Sequence, residues 1–208
     1  DANPNCRVIS ISPDDGFGWC KCPRCLELDR QLCGAREPRV KLLHDAPFVG
    51  DRLFWFGNEV ARRIAESHPD HKLLMLAYVN YVEPPDSVQP ASNIVPFVCH
   101  YVPADYSREI SDPSSEANRQ FNELLLKWRE RSPNMMIYSY VGKSTWWKLP
   151  RPILQNFAAD IKYFHAIGIR RYFCQSALAG WERDGPLYYV LTKLLWDPQA
   201  NPRALADE

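Results

Sequence analysis

The chain has 208 residues and a net charge of zero, because 25 lysine and arginine residues balance 25 aspartate and glutamate residues. This balance argues against bulk binding to nucleic acid or to an anionic membrane surface, since both need an excess of positive charge. The length suits one domain or a part of a larger one. No segment has the pattern of a transmembrane span or of a signal peptide. We expect any export signal to lie outside this chain, because the chain enters a predicted strand almost at once.

The predicted elements alternate between strands and helices. Short apolar or β-branched runs predict strands over 7–12, 71–81, 93–103, 134–142 and 170–176. Apolar residues at helical spacing predict helices over 51–70, 112–133, 151–169 and 185–198. Asp51 is a predicted N-cap of the first helix, and Ser114 or Ser115 of the second. Pro152 suits the first turn of the third helix, and Gly168 suits its end.

This alternation predicts an α/β fold with a parallel sheet. No glycine-rich phosphate loop follows any predicted strand, which argues against a Rossmann or P-loop domain. Polar and aromatic residues follow every predicted strand, and in a (β/α)₈ barrel those ends form one mouth, where active sites lie. Five strands cannot close a barrel of eight. We therefore predict that residues 1–208 are the C-terminal portion of a (β/α)₈ TIM barrel, about strands four to eight, and that the N-terminal part of the barrel lies outside the chain. A doubly wound open sheet is the alternative.

Four of the seven cysteines lie close together in the sequence: Cys20, Cys22, Cys25 and Cys33. The CxCxxC spacing with a fourth cysteine nearby suits a closed tetrahedral zinc site. One or two disulfides, or free thiols, are the alternatives, and the odd total argues against a complete disulfide framework. A four-thiolate site leaves no open coordination position. Any zinc here is therefore predicted to be structural, and no cofactor is predicted for catalysis.

Several segments of the chain occur together in the order of a known family. These segments are SPDDGFGWCKCPRC, FWFGNEVARRIAESHPD followed by LAYVNYVEPP, CHYVPADYS, PILQNFAADIKYFHAIGI and LLWDP. With them the whole chain resembles "domain of unknown function 4838", a family of TIM-barrel proteins related to glycoside hydrolases. One branch, glycoside hydrolase family 163, contains endo-β-N-acetylglucosaminidases that act on complex N-glycans. The resemblance implies a retaining glycosidase fold, a glycan substrate and an exported bacterial protein that is secreted, periplasmic or at the cell surface.

Asp14 and Asp15 are the predicted catalytic residues under this resemblance. Glycoside hydrolysis usually needs two carboxylates across the scissile bond, and adjacent residues are too close in sequence to flank a sugar in that way. They suit substrate-assisted chemistry, in which the 2-acetamido group of the sugar is the nucleophile. By analogy with paired acids in other hexosaminidase families, we assign Asp15 as general acid/base and Asp14 as the residue that orients the amide. The alternative is that Pro-Asp-Asp-Gly only forms a turn.

Further residues are predicted to bind the sugar, because most of them follow the predicted strands. Their side chains offer hydrogen bonds or flat apolar surfaces to a pyranose ring, as aromatic residues do in many sugar-binding clefts. They are Tyr78, Asn80, Tyr81, His100, Tyr138, Tyr140, Lys143, Trp146 and Trp181. Packing in the core is the alternative for the aromatic residues and for His100. Glu83 and Asp105 are reserve acids, in case the catalytic pair is misplaced.

The predicted function is therefore hydrolysis of glycans that contain N-acetylglucosamine. Two other functions stay open: a barrel that binds glycans without cleaving them, and a zinc-stapled interaction domain whose acids only form a turn. Within the enzyme class, removal of a uronic acid needs a basic group at the mouth, for which Lys143 is the obvious candidate.

Overall fold

Five strands form one all-parallel sheet in the order of the sequence. The structure, a computed structural model, describes residues 5–16, 18–32, 47–101, 104–140, 153–175 and 181–207. The strands are β1 (Val8–Ser10), β2 (Lys72–Ala77), β3 (Ile94–His100), β4 (Met136–Ser139) and β5 (Tyr172–Cys174). Each strand pairs in parallel with the next, and the sheet is curled like half of a barrel. A doubly wound sheet reverses its winding at a switch point. The described strands have no such reversal, and their order is consistent with a partial barrel.

The helices are α1 (Pro23–Leu32), α2 (Gly50–Ser67), α3 (Glu116–Arg131), α4 (Leu154–Ala166), α5 (Trp181–Trp196) and α6 (Pro202–Ala206). The four predicted helices are confirmed as α2 to α5, with ends that differ by a few residues. The sequence did not predict α1 or α6, because α1 buries none of its residues and α6 is only five residues long. The predicted strand 71–81 is interrupted, since Val79–Tyr81 forms a 3₁₀ turn.

The alternation of side chains along each strand gives the sheet two different faces. In β2, Leu73, Met75 and Ala77 are buried, whereas Leu74 and Leu76 are half-buried. The buried set forms one core with side chains of α2, α3 and α4, which defines the outer face. The strand register places the other set on the inner face: Leu74, Leu76, Tyr78, Phe97, Cys99, Tyr101, Met136, Tyr138, Tyr140 and Phe173.

Close contacts lock α2 and α3 onto the outer face. A Cβ on Gly57 would lie 2.2 Å from Met75 Sδ, so the glycine allows α2 to approach β2 closely. The Trp128 side chain of α3 is fully buried and packs against Phe54 of α2, with ring centroids 5.3 Å apart. Its Nε1 donates a hydrogen bond of 2.7 Å to the Val82 carbonyl. The two helices therefore also hold the segment that follows β2.

The helix ends confirm two of the predicted signals. Ser115 caps α3, because its hydroxyl accepts a hydrogen bond from the Asn118 N–H. Gly168 follows the end of α4 with a φ of +87°, a conformation that favours glycine. Pro152 lies outside the described residues.

The prediction for Asp51 is wrong, because Val49 occupies the N-cap of α2 and Asp51 lies in its first turn. The Asp51 carboxylate is buried and serves another purpose. Its oxygens accept hydrogen bonds from the backbone N–H groups of Asp86 (3.0 Å), Ser87 (2.7 Å) and Val88 (3.0 Å), and from the Ser87 hydroxyl (2.8 Å). One carboxylate thus fixes the loop after β2 to the start of α2.

The two outermost strands carry exposed apolar side chains. In β1, Val8 and Ile9 are 52% and 41% exposed, and in β5 Phe173 is 44% exposed. At the end of α5, Trp196 is 92% exposed. Each outermost strand pairs with one neighbour within the part of the chain that the structure describes. Unpaired strand edges with apolar side chains favour pairing with further strands.

Replacing Asp51 with alanine should destabilise the fold strongly. The change removes the acceptor of four hydrogen bonds from a buried site, so we expect the free energy of unfolding to fall by about 3 kcal/mol or more. Urea unfolding followed by circular dichroism measures this loss. The matched control is Asp70→Ala, because the Asp70 side chain is 81% exposed. An Asp51→Ala protein as stable as the control would contradict the anchoring role.

Replacing Asp160 with asparagine should change how stability depends on pH. Burial raises the pKa of Asp160 to about 7, although its Oδ1 accepts a hydrogen bond of 2.7 Å from the Ile110 N–H. The folded protein therefore holds this proton more tightly than the unfolded chain, and the resulting stability is lost as pH rises from about 4 to about 7.

Asparagine keeps the acceptor and cannot ionise. We expect Asp160→Asn to be more stable than the native protein at pH 8, by up to about 4 kcal/mol, and similar to it at pH 4. Urea unfolding at a series of pH values measures this difference. Glu123→Gln, an exposed change on α3, serves as the control. Parallel pH profiles for the native and Asp160→Asn proteins would refute the prediction.

Candidate active site

Four tyrosines meet at the carboxyl ends of the central strands. Tyr78 follows β2, Tyr101 follows β3, Tyr138 lies in β4 and Tyr140 follows it. Ring centroids are 4.9 Å apart for Tyr101 and Tyr140, 4.8 Å for Tyr138 and Tyr140, and 5.5 Å for Tyr78 and Tyr101. These separations are typical of attractive aromatic pairs. We call these four residues the tyrosine cluster.

Apolar groups one layer deeper in the sheet support the tyrosine cluster. Phe97 and Phe173 both contact the Tyr138 ring, each with a centroid separation of 4.8 Å. Cys99 is 1% exposed, and its thiol donates a hydrogen bond of 3.8 Å to the Phe97 carbonyl. Burial raises the pKa of Cys99 to about 12, so the thiol stays protonated at physiological pH. Cys99 therefore fills space beneath the cluster and is not a reactive nucleophile.

Asp15 is the carboxylate whose charge acts on Tyr78, a member of the tyrosine cluster, and on Tyr81. Burial raises the pKa of Tyr78 and of Tyr81 above the ordinary value, and the negative charge of Asp15 raises both further. Asp14 and Asp15 are both exposed, but the charge that acts on these tyrosines is that of Asp15. Gly16, directly after Asp15, has a φ of +149°, a backbone conformation that residues other than glycine rarely adopt. The site therefore combines one accessible carboxylate with phenols that remain hydrogen-bond donors at neutral and mildly alkaline pH.

A strained turn after β2 brings Tyr78 and Tyr81 together. Val79 has a φ of +39°, which is rare for a β-branched residue and costs energy. The rings of Tyr78 and Tyr81 are 6.3 Å apart, and the Tyr81 ring meets that of Trp19 edge-on at 5.4 Å. Strain of this kind persists where surrounding contacts determine the backbone, and it occurs often at functional sites. The turn thereby sets two phenols near Asp15.

Asn80 anchors this turn. Its side chain is buried, and its Nδ2 donates a hydrogen bond of 2.6 Å to the Pro47 carbonyl, while its backbone carbonyl accepts one of 3.3 Å from the Val49 N–H. Its Oδ1 is buried without a hydrogen-bond partner among the described residues. Asn80 was predicted to bind substrate, but its amide nitrogen is occupied in holding the segment before α2.

His100 lies apart from the tyrosine cluster, on the outer face of the sheet. Its ring stacks on that of Phe121 of α3 at 4.2 Å and contacts that of Tyr106 at 4.7 Å. Burial lowers the pKa of His100 to about 3, so the ring is neutral. The structure therefore places this predicted sugar ligand in the core under α3.

The reserve acids are also structural. Asp105 accepts hydrogen bonds from the Ser107 hydroxyl (2.5 Å), the Ser107 N–H (3.0 Å) and the Ser115 hydroxyl (2.9 Å). The hydrogen bond from the Ser107 hydroxyl has the largest effect in lowering the pKa of Asp105, so this carboxylate stays ionised. Its oxygens hold the loop before α3. Glu83 is only 4% exposed. The structure thus leaves Asp14 and Asp15 as the open acids among the four candidates.

Several predicted site residues lie outside the described residues. These are Lys143, Trp146 and Cys33, together with the side chain of Trp181, whose backbone begins α5. The roles predicted for them stay predictions.

Three of the four predicted cysteine ligands come together. The sulfur atoms of Cys20, Cys22 and Cys25 all lie within 4.8 Å of one another, a group that could hold a metal ion. A hydrogen bond from the Cys25 N–H, followed by one with the Cys20 side chain, lowers the pKa of Cys22. The same thiol contacts, from Cys20 first and then Cys22, raise the pKa of Cys25. All three are free thiols in this structure.

Sequence reasoning missed Tyr101 and Trp19 as members of this site. The signal for Tyr101 was the period of two along a strand, which places it on the same face as Cys99 and turns His100 to the opposite face. No comparable signal identified Trp19, because its contact with Tyr81 joins two segments that are distant in sequence.

One family model matches the chain, and it covers residues 1–208. Its description is a domain of unknown function, DUF4838. No curated protein and no solved structure matches the chain significantly.

The accessibility of the thiols can be tested by alkylation. At pH 8 we expect iodoacetamide to label Cys99 at least about a hundredfold more slowly than Cys6, because Cys99 is buried with a pKa of about 12 whereas Cys6 is exposed. Peptide mass mapping over time measures both rates in one sample. Denatured protein, in which both should react alike, is the control. Equal rates in the folded protein would show that the tyrosine cluster does not cover Cys99.

Proposed function

The chain belongs to the DUF4838 family, and we propose that it is the carbohydrate-cleaving part of a glycoside hydrolase that acts on glycans containing N-acetylglucosamine. The observation that carries the proposal is the position of Asp15, an exposed carboxylate beside protonated tyrosines at the carboxyl ends of parallel strands. In barrels these ends are where catalytic residues lie.

The tyrosine cluster supports a sugar as the substrate. Flat aromatic faces suit the apolar C–H surfaces of a pyranose ring, and phenol hydroxyls can donate hydrogen bonds to, or accept them from, sugar hydroxyls. The uncharged phenols of the cluster suit the hydroxyl groups of a neutral glycan. Lys143, the basic residue that a uronate would need, is outside the described residues.

Substrate-assisted hydrolysis assigns separate roles to the adjacent acids. In the first step, the carbonyl oxygen of the 2-acetamido group attacks the anomeric carbon as the glycosidic bond breaks, and Asp15 gives its proton to the leaving oxygen. Asp14 accepts the amide N–H and holds the acetamido group in position. In the second step, water attacks the anomeric carbon and gives a proton to Asp15. The bond between that carbon and the acetamido oxygen breaks, which restores the 2-acetamido group. Two successive inversions retain the anomeric configuration.

A glycan-binding barrel without hydrolytic activity is the second candidate. The exposure of Asp14 and Asp15 favours it, because both carboxylates are open to water and neither is enclosed by the described residues. The tyrosine cluster would serve such a protein equally well.

The proposal includes the remainder of a (β/α)₈ barrel. The exposed apolar residues on β1 and β5 suit pairing with further strands, which would close the curled sheet around the inner face. The proposal also includes export of the protein to the outside of the cell, which is where such glycans occur. None of the described helices is long and apolar enough to cross a membrane.

A structural zinc ion is the remaining part of the proposal. Cys20, Cys22 and Cys25, with Cys33 as the fourth ligand predicted from the sequence, would form a closed thiolate site that stabilises the loop after β1. The reaction proposed above uses no cofactor.

Replacing Asp15 with asparagine tests the mechanism. We expect the purified native protein to release sugar from a panel of glycans containing N-acetylglucosamine, and Asp15→Asn to lower kcat at least about a hundredfold, since the amide cannot transfer the proton. A smaller loss, about tenfold or more, is expected for Asp14→Asn. Asp70→Asn is the matched control, because Asp70 is exposed at the amino end of β2. Released sugars are measured by chromatography.

Each other outcome has a defined meaning. Full activity of the Asp15→Asn protein would show that Asp15 has no catalytic role. Binding of the glycans without cleavage by the native protein would favour the glycan-binding barrel. Absence of both cleavage and binding would overturn the proposal.

A further inference from the structure

The three clustered cysteines form a compact motif at the start of α1. Cys22 occupies the N-terminal end of this helix, where its carbonyl accepts a hydrogen bond of 3.1 Å from the Leu26 N–H. Cys25 lies in the first turn of α1, and Cys20 precedes both residues in the loop that leads into the helix. This arrangement brings three sulfur atoms within 4.8 Å of one another, with Cys20 and Cys22 exposed and Cys25 half-buried.

These distances suit a thiolate metal site. Zinc binds thiolate sulfur at about 2.3 Å, so two sulfurs of one tetrahedral site are roughly 3.8 Å apart. Small changes of side-chain rotamer would bring the three sulfurs from their present separations to that value.

Contacts with α2 hold the segment around the cysteines. Arg52 of α2 donates a hydrogen bond of 2.9 Å from Nη1 to the Cys20 carbonyl, and its Nε lies 3.3 Å from Asp29 Oδ1 of α1. The side chains of Arg52 and Asp29 are only 12% and 19% exposed. Arg52 therefore joins α2 both to Cys20, at the start of the cysteine motif, and to α1, which follows the motif.

We propose that Cys20, Cys22 and Cys25 bind a zinc ion, and that this ion fixes the end of the loop that carries Asp14 and Asp15. The link to the tyrosines is Trp19, which directly precedes Cys20 and packs edge-on against Tyr81. Holding Cys20 in a metal site holds Trp19 against Tyr81, and so limits the movement of the loop from Asp15 onward. The position of the loop, which the glycosidase proposal requires, thus depends on a metal that takes no part in the reaction.

Metal analysis tests the site directly. We expect the purified protein to contain about one zinc ion per chain, and cobalt(II) substitution to give the intense sulfur-to-cobalt charge-transfer absorption of thiolate ligands together with tetrahedral d–d bands. Cys22→Ser and Cys25→Ser should each weaken zinc binding at least about tenfold. Cys6→Ser is the matched control, because Cys6 is an exposed thiol outside the cluster, and it should leave metal content unchanged.

The role of the ion in holding the loop has its own readout. Removing zinc with a chelator should shift the emission of Trp19, measured as the difference between the native protein and Trp19→Phe, while circular dichroism shows that the sheet and helices persist. Restoring zinc should reverse the shift. Trp19 emission that is the same with and without zinc would disprove the link between the cysteine motif and the loop.

Two results would overturn the metal site itself. A mass about 2 Da below that of the fully reduced chain, with two of the three cysteines resistant to alkylation, would assign a disulfide instead. Zinc absent after purification and not taken up on titration, with all three thiols alkylated, would assign free thiols. These readouts do not involve glycan cleavage, so failure of the proposed hydrolase activity would leave the metal site standing, and the reverse also holds.

Discussion

The parallel register of β2, β3 and β4 is the constraint on which the rest of this structure depends. Because side chains alternate along a strand, one register decides which residues face the helices and which lie on the inner face of the sheet. It sends Met75, Val98 and Ile137 into the helix-covered core and aligns Tyr138 beside Cys99 on the other face. A slip of one residue would bury the tyrosines under α3 and turn the core residues to the inner face.

Buried polar groups convert this regular sheet into a site with fixed loops. Asp51 ties the segment after β2 to α2, and Asn118 does the same after β3, where its amide contacts the Asp105, Arg108 and Glu109 carbonyls. Each of these side chains satisfies backbone groups that the loops cannot pair among themselves. The described segment after β2, which Asp51 holds, also contains the strained φ of Val79.

Two segments that are distant in the sequence meet at the tyrosine cluster. The loop after β1 brings Asp15 and Trp19, and the turn after β2 brings Tyr78 and Tyr81. The cysteine motif at the end of the first segment and the Arg52–Asp29 pair fasten it to α2. The groups that can touch a ligand are therefore different from the groups that hold the loop. Both kinds lie in the same loop, which explains why acids and cysteines share one short stretch of sequence.

The sequence alone determined the α/β class, the five strands and four of the helices, because apolar periodicity and caps such as Ser115 are local signals. It also singled out Asp14, Asp15 and the cysteine spacing. The tertiary structure decided what lies beside them: it placed His100 in the core and gave Asp105 to a loop, while Tyr101 and Trp19 joined Tyr78 and Tyr81. These outcomes depend on the register between strands and on contacts between remote segments. Neither is encoded in the local pattern around a single residue.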